Sequence, residues 1–401
     1  MSETQLNPWR GRIVLLTLVH GVGTIGYTSV MTMAPVIRAD LDLNATQVGS
    51  FMSAFYFALT LGAIPAGALA DRLGVALSLS LASFLMAVGA GLFAAISSYV
   101  PAVIATFVMG LGYALVNPAT AKGVLSWFKP EHRATAMGVK QMGVPMGGFV
   151  ASGFGAMVVF MPWRGALWSA AAAAMIIGLC WWHLIQRRTI GGGGLGAALR
   201  NLKSIMTNRN LIKFNLASVS FNAGQQSFIT YLTLFLRDVA GASQPFAALC
   251  VGFSQITGAA GRVFWAFFSD RFAEGRRKGV VVGIMTTAAG TMFVFTAVNP
   301  SWHVAILAIL ALLLGGTILA YAALLHTICA ETVDPHLAGS AIGSNLFATS
   351  LGGAIGPIVF GLIVDHAGGY MAAWTATGAL VLAGAILVAL GFKEDQSAAK
   401  N

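Results

Sequence analysis

One arginine stands in the middle of an apolar stretch, Gln255 to Lys278 (QITGAAGRVFWAFFSDRFAEGRRK). Ser269-Asp270-Arg271 and the basic turn Arg276-Arg277-Lys278 follow it. A guanidinium at the centre of a bilayer costs at least ~2.5–3.5 kcal/mol, so such a residue implies a function and a counter-charge. Arg262 lies eight residues before Asp270, about 12 Å along a helix. All thirteen Asp and Glu residues fall in loops, helix ends or tails, so an external anion is the expected partner of Arg262, and the guanidinium offers paired donors suited to a carboxylate. Two more cations fall within apolar runs, Lys140 and Lys122. Lys140, among Gly138 and Gly143, either faces a cavity or snorkels. Lys122, five residues from Trp127, has the easier escape to the surface. Asn222, Gln225 and Gln226 fall at i, i+3 and i+4 and share one helix face. Tyr27 shares a face with His20. These residues are expected to line a binding site, with Arg262 holding the charged head. His20 and His326, the titratable groups near neutral pH, are candidates to carry a coupling proton.

The elements that must hold these side chains are membrane helices. The 401-residue chain is 57% apolar and only 9% charged, whereas soluble domains are about 25% charged. Twelve runs of spanning length follow one another, from Ile13–Ile37 to Tyr370–Phe392. They form two sets of six, giving an all-α membrane protein with an N-terminal six-helix bundle over 1–186, a linker over 187–210 and a C-terminal six-helix bundle over 211–401. The linker carries four consecutive glycines, Gly191 to Gly194, then a short basic stretch with Arg200 and Lys203 expected to lie at the interface.

Charge sets the topology. Of 23 Lys and Arg residues, seventeen fall in segments on one side of the spans and three, Arg38, Arg164 and Arg237, on the other. The positive-inside rule therefore places both termini in the cytoplasm, and a bacterial inner membrane is the expected location. The formal charge of +10 follows from those turns, not from a nucleic-acid-binding face. Cys180, Cys250 and Cys329 have no metal-ligand spacing, so neither a metal nor a cofactor is expected. With no nucleotide-binding loop and no nucleophile constellation, an enzyme is not indicated.

The halves repeat. Gly67-Ala-Leu-Ala-Asp71-Arg72-Leu-Gly74 recurs as Trp265-Ala-Phe-Phe-Ser269-Asp270-Arg271, with Asp71 and Asp270 199 positions apart. At that offset Ala63 occupies the place of Arg262, so the arginine belongs to one half only. Duplicated halves place a transport site at their interface. Gly67, Asp71, Arg72 and Gly74 match the signature loop of the major facilitator superfamily, and Asp270 with Arg271 matches its repeat. Gly143-Val-Pro145-Met-Gly147-Gly148 is similar to its fifth-helix glycine-proline motif. The arginine eight residues before Asp270 resembles that of oxalate/formate exchangers, monocarboxylate carriers and nitrate carriers. The eleventh-helix lysine of the oxalate exchangers is missing, and Thr106 stands where many members carry an arginine.

The resemblance implies a secondary transporter of a small organic anion, a carboxylate, working by alternating access and driven by proton symport or anion exchange, and a monomer in the lipid bilayer. Asp71, Arg72, Asp270 and Arg271 would act as gates at the cytoplasmic helix ends. A multidrug exporter and a transporter-like metabolite receptor are the alternative readings.

Overall fold

The computed structural model describes residues 9–185, 207–273, 276–334 and 337–394. Most of the expected linker, including the interfacial stretch at Arg200 and Lys203, lies outside the described residues. The described residues are almost wholly helical and form twelve spans. The first six are α1 (Arg12–Thr32, continued by Ala34–Asp40), α2 (45–73), α3 (75–95), α4 (Tyr99–Trp127), α5 (Pro130–Gln141 and Gly143–Met157) and α6 (Trp163–His183). The second six are α7 (Arg209–Asp238), α8 (Gln244–Phe272), α9 (Arg277–Phe295), α10 (Val304–Ile318 and Ala322–Glu331), α11 (Ala338–His366) and α12 (Gly369–Gly391). Gly74, with φ at +76°, makes the turn between α2 and α3, a conformation that a side chain would resist.

Four spans are interrupted, α1 (at Met33, just before Pro35), α4, α5 and α10, and the first three interruptions are written in the sequence. A proline has no N–H and clashes with the carbonyl four residues before it. Pro118 disturbs the turn at Ala114, where α4 breaks at Leu115; Pro145 disturbs the turn at Gln141, where α5 breaks at Met142. The fourth break, over Leu319–Tyr321 in α10, has no proline and matters for the site described below.

The two sets of six meet along two equivalent contacts, α2 against α11 and α5 against α8. Exchanging the halves turns one contact into the other, as a duplicated fold requires. Small residues allow the close approach. A Cβ on Gly148 would stand 2.7 Å from Gln255 Cδ, and one on Gly252 would stand 2.8 Å from the Ser152 Cβ. Within the second set, Gly352 sits against the Val219 carbonyl and Gly356 against Ala223, whose Cα would lie 2.6 Å from an added Cβ. Gly356→Ala is therefore expected to destabilise the protein by about 1–3 kcal/mol through overpacking. Gly343→Ala, with open space around it, should be neutral; thermal unfolding of the two purified variants measures the difference.

Hydrogen bonds between the two sets cluster at one end of the bundle, the end of Arg38. There Asp365 at the end of α11 accepts from Ala45 N (3.0 Å), Thr46 N (2.7 Å) and Thr46 Oγ1 (2.5 Å), capping the N-terminus of α2 from the other half. Tyr231 donates to Ala45 O or Pro357 O, both at 2.8 Å. Gln244 Nε2, in the first turn of α8, lies 2.9 Å from both Thr32 O and Gly155 O. Arg38 pairs with Asp238 at 2.7 Å, and Tyr370 donates to the same carboxylate at 2.9 Å. The bundle is thus tied shut at the Arg38 end.

At the opposite end, that of Asp71, each signature aspartate pairs within its own half. Asp71 pairs with Lys122 at 3.0 Å, and Asp270 with Arg277 at 2.7 Å, where Arg277 also holds Glu331 at 3.0 Å. Arg72 shares a surface recess with Arg12, Asp71 and Lys122, and Arg271 is exposed.

Candidate functional site

Arg262 sits ten residues inside the Asp71-side end of α8 and is half-buried. The α10 interruption gives it one anchor: the Leu319 carbonyl, at the break, accepts from Arg262 Nε at 3.0 Å. One turn on, Trp265 Nε1 donates to Gly316 O at 2.8 Å and fixes the same pair of helices. No salt bridge holds Arg262 among the described residues. A guanidinium has five donor hydrogens, and a single carbonyl leaves most of them for a ligand.

Four tyrosines lie within electrostatic reach of Arg262: Tyr27, Tyr56 and Tyr113 from the first half and Tyr321 from the second. Tyr27 lies tilted against Phe55, with ring centroids 4.3 Å apart, and meets Tyr113 edge-on at 6.0 Å. Tyr27, Tyr113 and Tyr321 are buried and Tyr56 is half-buried, and together they supply a polar surface of hydroxyls on an apolar body. Of the four, Tyr27 alone belongs to the sequence-based set; Tyr56, Tyr113 and Tyr321 are absent from it. An aromatic residue on an apolar helix carries the same signal whether it packs in a core or faces a cavity.

The predicted polar face of α7 is present and half committed. Asn222 donates to the Thr349 carbonyl at 2.5 Å and accepts from Gln226 Nε2 at 3.1 Å. Tyr321 adds a longer contact to Asn222 Oδ1 at 3.4 Å. Gln226 Oε1 is buried with no partner, a free acceptor of the kind that buried polar groups rarely keep without a ligand or water. Gly353 makes room for this cluster, since a Cβ there would strike Tyr56 Cδ1 at 2.5 Å and Asn222 Nδ2 at 2.9 Å. Gln225, on the same stripe, is partly exposed.

In the first half, Lys140 is 2% exposed and donates to Thr120 Oγ1 at 2.9 Å. His20, wholly buried, places Nε2 3.1 Å from the same hydroxyl. Thr120 in turn reaches Val116 O at 2.7 Å. Because that hydroxyl spends its one proton on the carbonyl, its lone pairs accept from Lys140 and from His20 Nε2–H. His326 is within electrostatic reach of both Arg262 and Lys140, which ties the two cations to one region.

Lys122 is not brought to this group. Its ammonium lies 3.0 Å from Asp71 Oδ1 and 3.2 Å from Ala70 O at the helix end, the snorkelled position that its closeness to Trp127 allows. The structure therefore gathers Arg262, Lys140, Asn222, Gln226, Tyr27, His20 and His326 in the middle of the bundle. It leaves Lys122, Asp71, Arg72, Asp270 and Arg271 at its end.

Comparison with known proteins agrees with this architecture. The chain is 25% identical to the hexuronate transporter of Bacillus subtilis (strain 168) over 395 residues, covering 94% of this chain and 91% of that protein. It is 23% identical to the probable L-galactonate transporter of Escherichia coli (strain K12), over 93% of this chain and 87% of that one. Among solved structures it superposes on the nucleoside transporter NupG with a TM-score of 0.78 at 16% identity, over 96% of this chain and all of the other. A bacterial homolog of the human lysosomal transporter Spinster, in an inward-facing, unoccupied conformation, gives a TM-score of 0.76 at 18% identity. The family model described as Major Facilitator Superfamily matches residues 16–345 and 241–401. A fold with this repeat, these spans and this match is a membrane transporter and not an enzyme: the chain belongs to the major facilitator superfamily.

Proposed function

We propose that the protein is a secondary carrier of small organic anions, of the sugar-acid class, working by alternating access. The observation that carries this reading is Arg262, held at mid-depth by one carbonyl, with no carboxylate partner among the described residues. A carboxylate would take the open guanidinium donors as a bidentate pair. The tyrosine hydroxyls and the Asn222–Gln226 amides suit a polyhydroxylated body. The relatives named for hexuronate and L-galactonate support the same class.

In this reading the bundle comprises 1–186 and 211–401, joined by the 187–210 linker, and the Asp71 end faces the cytoplasm of a bacterial inner membrane. The Lys and Arg bias supports that orientation. The Arg38 end is then the outer gate, closed here, and substrate reaches Arg262 from the inside. Asp71–Lys122 and Asp270–Arg277 stand ready to meet the opposite half when the inner end closes. The protein acts as a monomer, powered by anion exchange or by proton symport through His20 or His326.

A stabilisation screen tests the substrate class. Galactonate or glucuronate at one hundred times its Kd should add about 2.7 kcal/mol of apparent stability by mass action. Their uncharged amides should add nothing. Stabilisation by lipophilic cations with none by sugar acids would instead support a drug exporter.

A further inference from the structure

Lys140 is a buried cation that the anchor role of Arg262 leaves unexplained. An ammonium has three donors, and the contact to Thr120 uses one. Its neighbour His20 donates through Nε2, which leaves Nδ1 a bare acceptor, buried without a partner. Both groups are more than nine-tenths buried, where unfilled polar capacity is costly. The helix register sets their depth. On α5 and α8, Gly148 meets Gln255, Ser152 meets Gly252 and Gly155 meets Ala248. Continued toward the Asp71 end, past the α5 break at Met142 where the two helices part, that antiparallel register brings Gln141 and Lys140 to the depth of Arg262. Each cation lies ten residues in from its own helix end, so they stand at matched depth in opposite halves. His326 senses both.

We propose that Lys140, held by Thr120 beside His20, is a second anion subsite across the half boundary from Arg262, and that the preferred substrate is a two-headed anion, a sugar diacid, bridging the two. The inference rests on the reading of Arg262 as the anchor and adds the second charge of the ligand. Arg262 takes one carboxylate, the two open Lys140 donors take the other, and the His20 Nδ1 acceptor takes a hydroxyl of the body. A ligand tied to both halves would also draw the Asp71 end together, which couples occupancy to closure.

Binding of galactarate and galactonate, a matched diacid and monoacid, to the full-length protein in detergent tests this. Wild type should hold the diacid about tenfold tighter or better. Lys140→Gln should bring that ratio to within about twofold while changing the monoacid affinity less than about threefold, and Lys140→Arg should keep the diacid preference. Lys140→Met replaces the Gln variant if the latter does not fold. Equal affinity of wild type for both acids, a monoacid preference, or a loss in Lys140→Gln that is equal for both acids would overturn the second subsite. Failure of the Arg262 reading looks different: wild type binding neither acid, or Arg262→Gln binding both as well as wild type.

Discussion

Arg262→Gln is expected to abolish saturable uptake of sugar acids, lowering apparent affinity at least ~100-fold, as roughly 3 kcal/mol is lost when a charge-assisted pair in a desolvated site is removed. The fold should survive. The side chain gives up one hydrogen bond to Leu319 O, worth about 1 kcal/mol, and removing an uncompensated cation from the membrane offsets that loss. Arg262→Lys separates charge from geometry, because it keeps the cation and loses the planar fork; affinity between those of wild type and the Gln variant is expected. Uptake by Arg262→Gln at the wild-type rate, in vesicles with matched expression, would remove the anchor from the account.

The second large effect concerns the closed end. Asp365→Ala deletes the acceptor of three hydrogen bonds that cap α2 from the opposite half. A carboxylate at a helix N-terminus also gains from the helix dipole. This contact exists only while the Arg38 end is closed, so its loss acts on the conformational equilibrium rather than on either bundle alone. A shift of ~2 kcal/mol, about thirtyfold in population, toward opening at that end is expected. Spin labels at Asp42 and Arg237, exposed positions on opposite halves at the Arg38 end, should report a longer distance in the variant. Asp365→Asn, which keeps the shape and loses the charge, should fall between. An unchanged distance distribution in Asp365→Ala would show that Gln244, Tyr231 and the Arg38–Asp238 pair close that end without it.

Much of this was readable in the chain. Apolar run lengths give the spans, the Asp71 and Asp270 repeat gives the duplication, and Arg262 declares itself through cost. The breaks in α4 and α5 follow from Pro118 and Pro145. What the sequence withholds is contact across long separations. Asp365 reads as an ordinary helix-end acid, and nothing local says that it caps a helix some 320 residues away. Tyr56 and Tyr113 vanish among other aromatics, and Thr120 carries no signal until Lys140 and His20 are seen to share its hydroxyl. Lys122 illustrates the converse. Its type suggested a binding role, but the position of Trp127 places it near the membrane surface, and there Asp71 takes it.

Counterflow in proteoliposomes is the most direct measurement of the central claim. Vesicles holding wild-type protein and preloaded with millimolar unlabelled galactonate should transiently accumulate labelled galactonate from outside, and Arg262→Gln vesicles should not. The account is contradicted if preloading drives no accumulation although the purified protein binds the acid tightly, which is the behaviour of a receptor, or if Arg262→Gln vesicles accumulate label as wild type does.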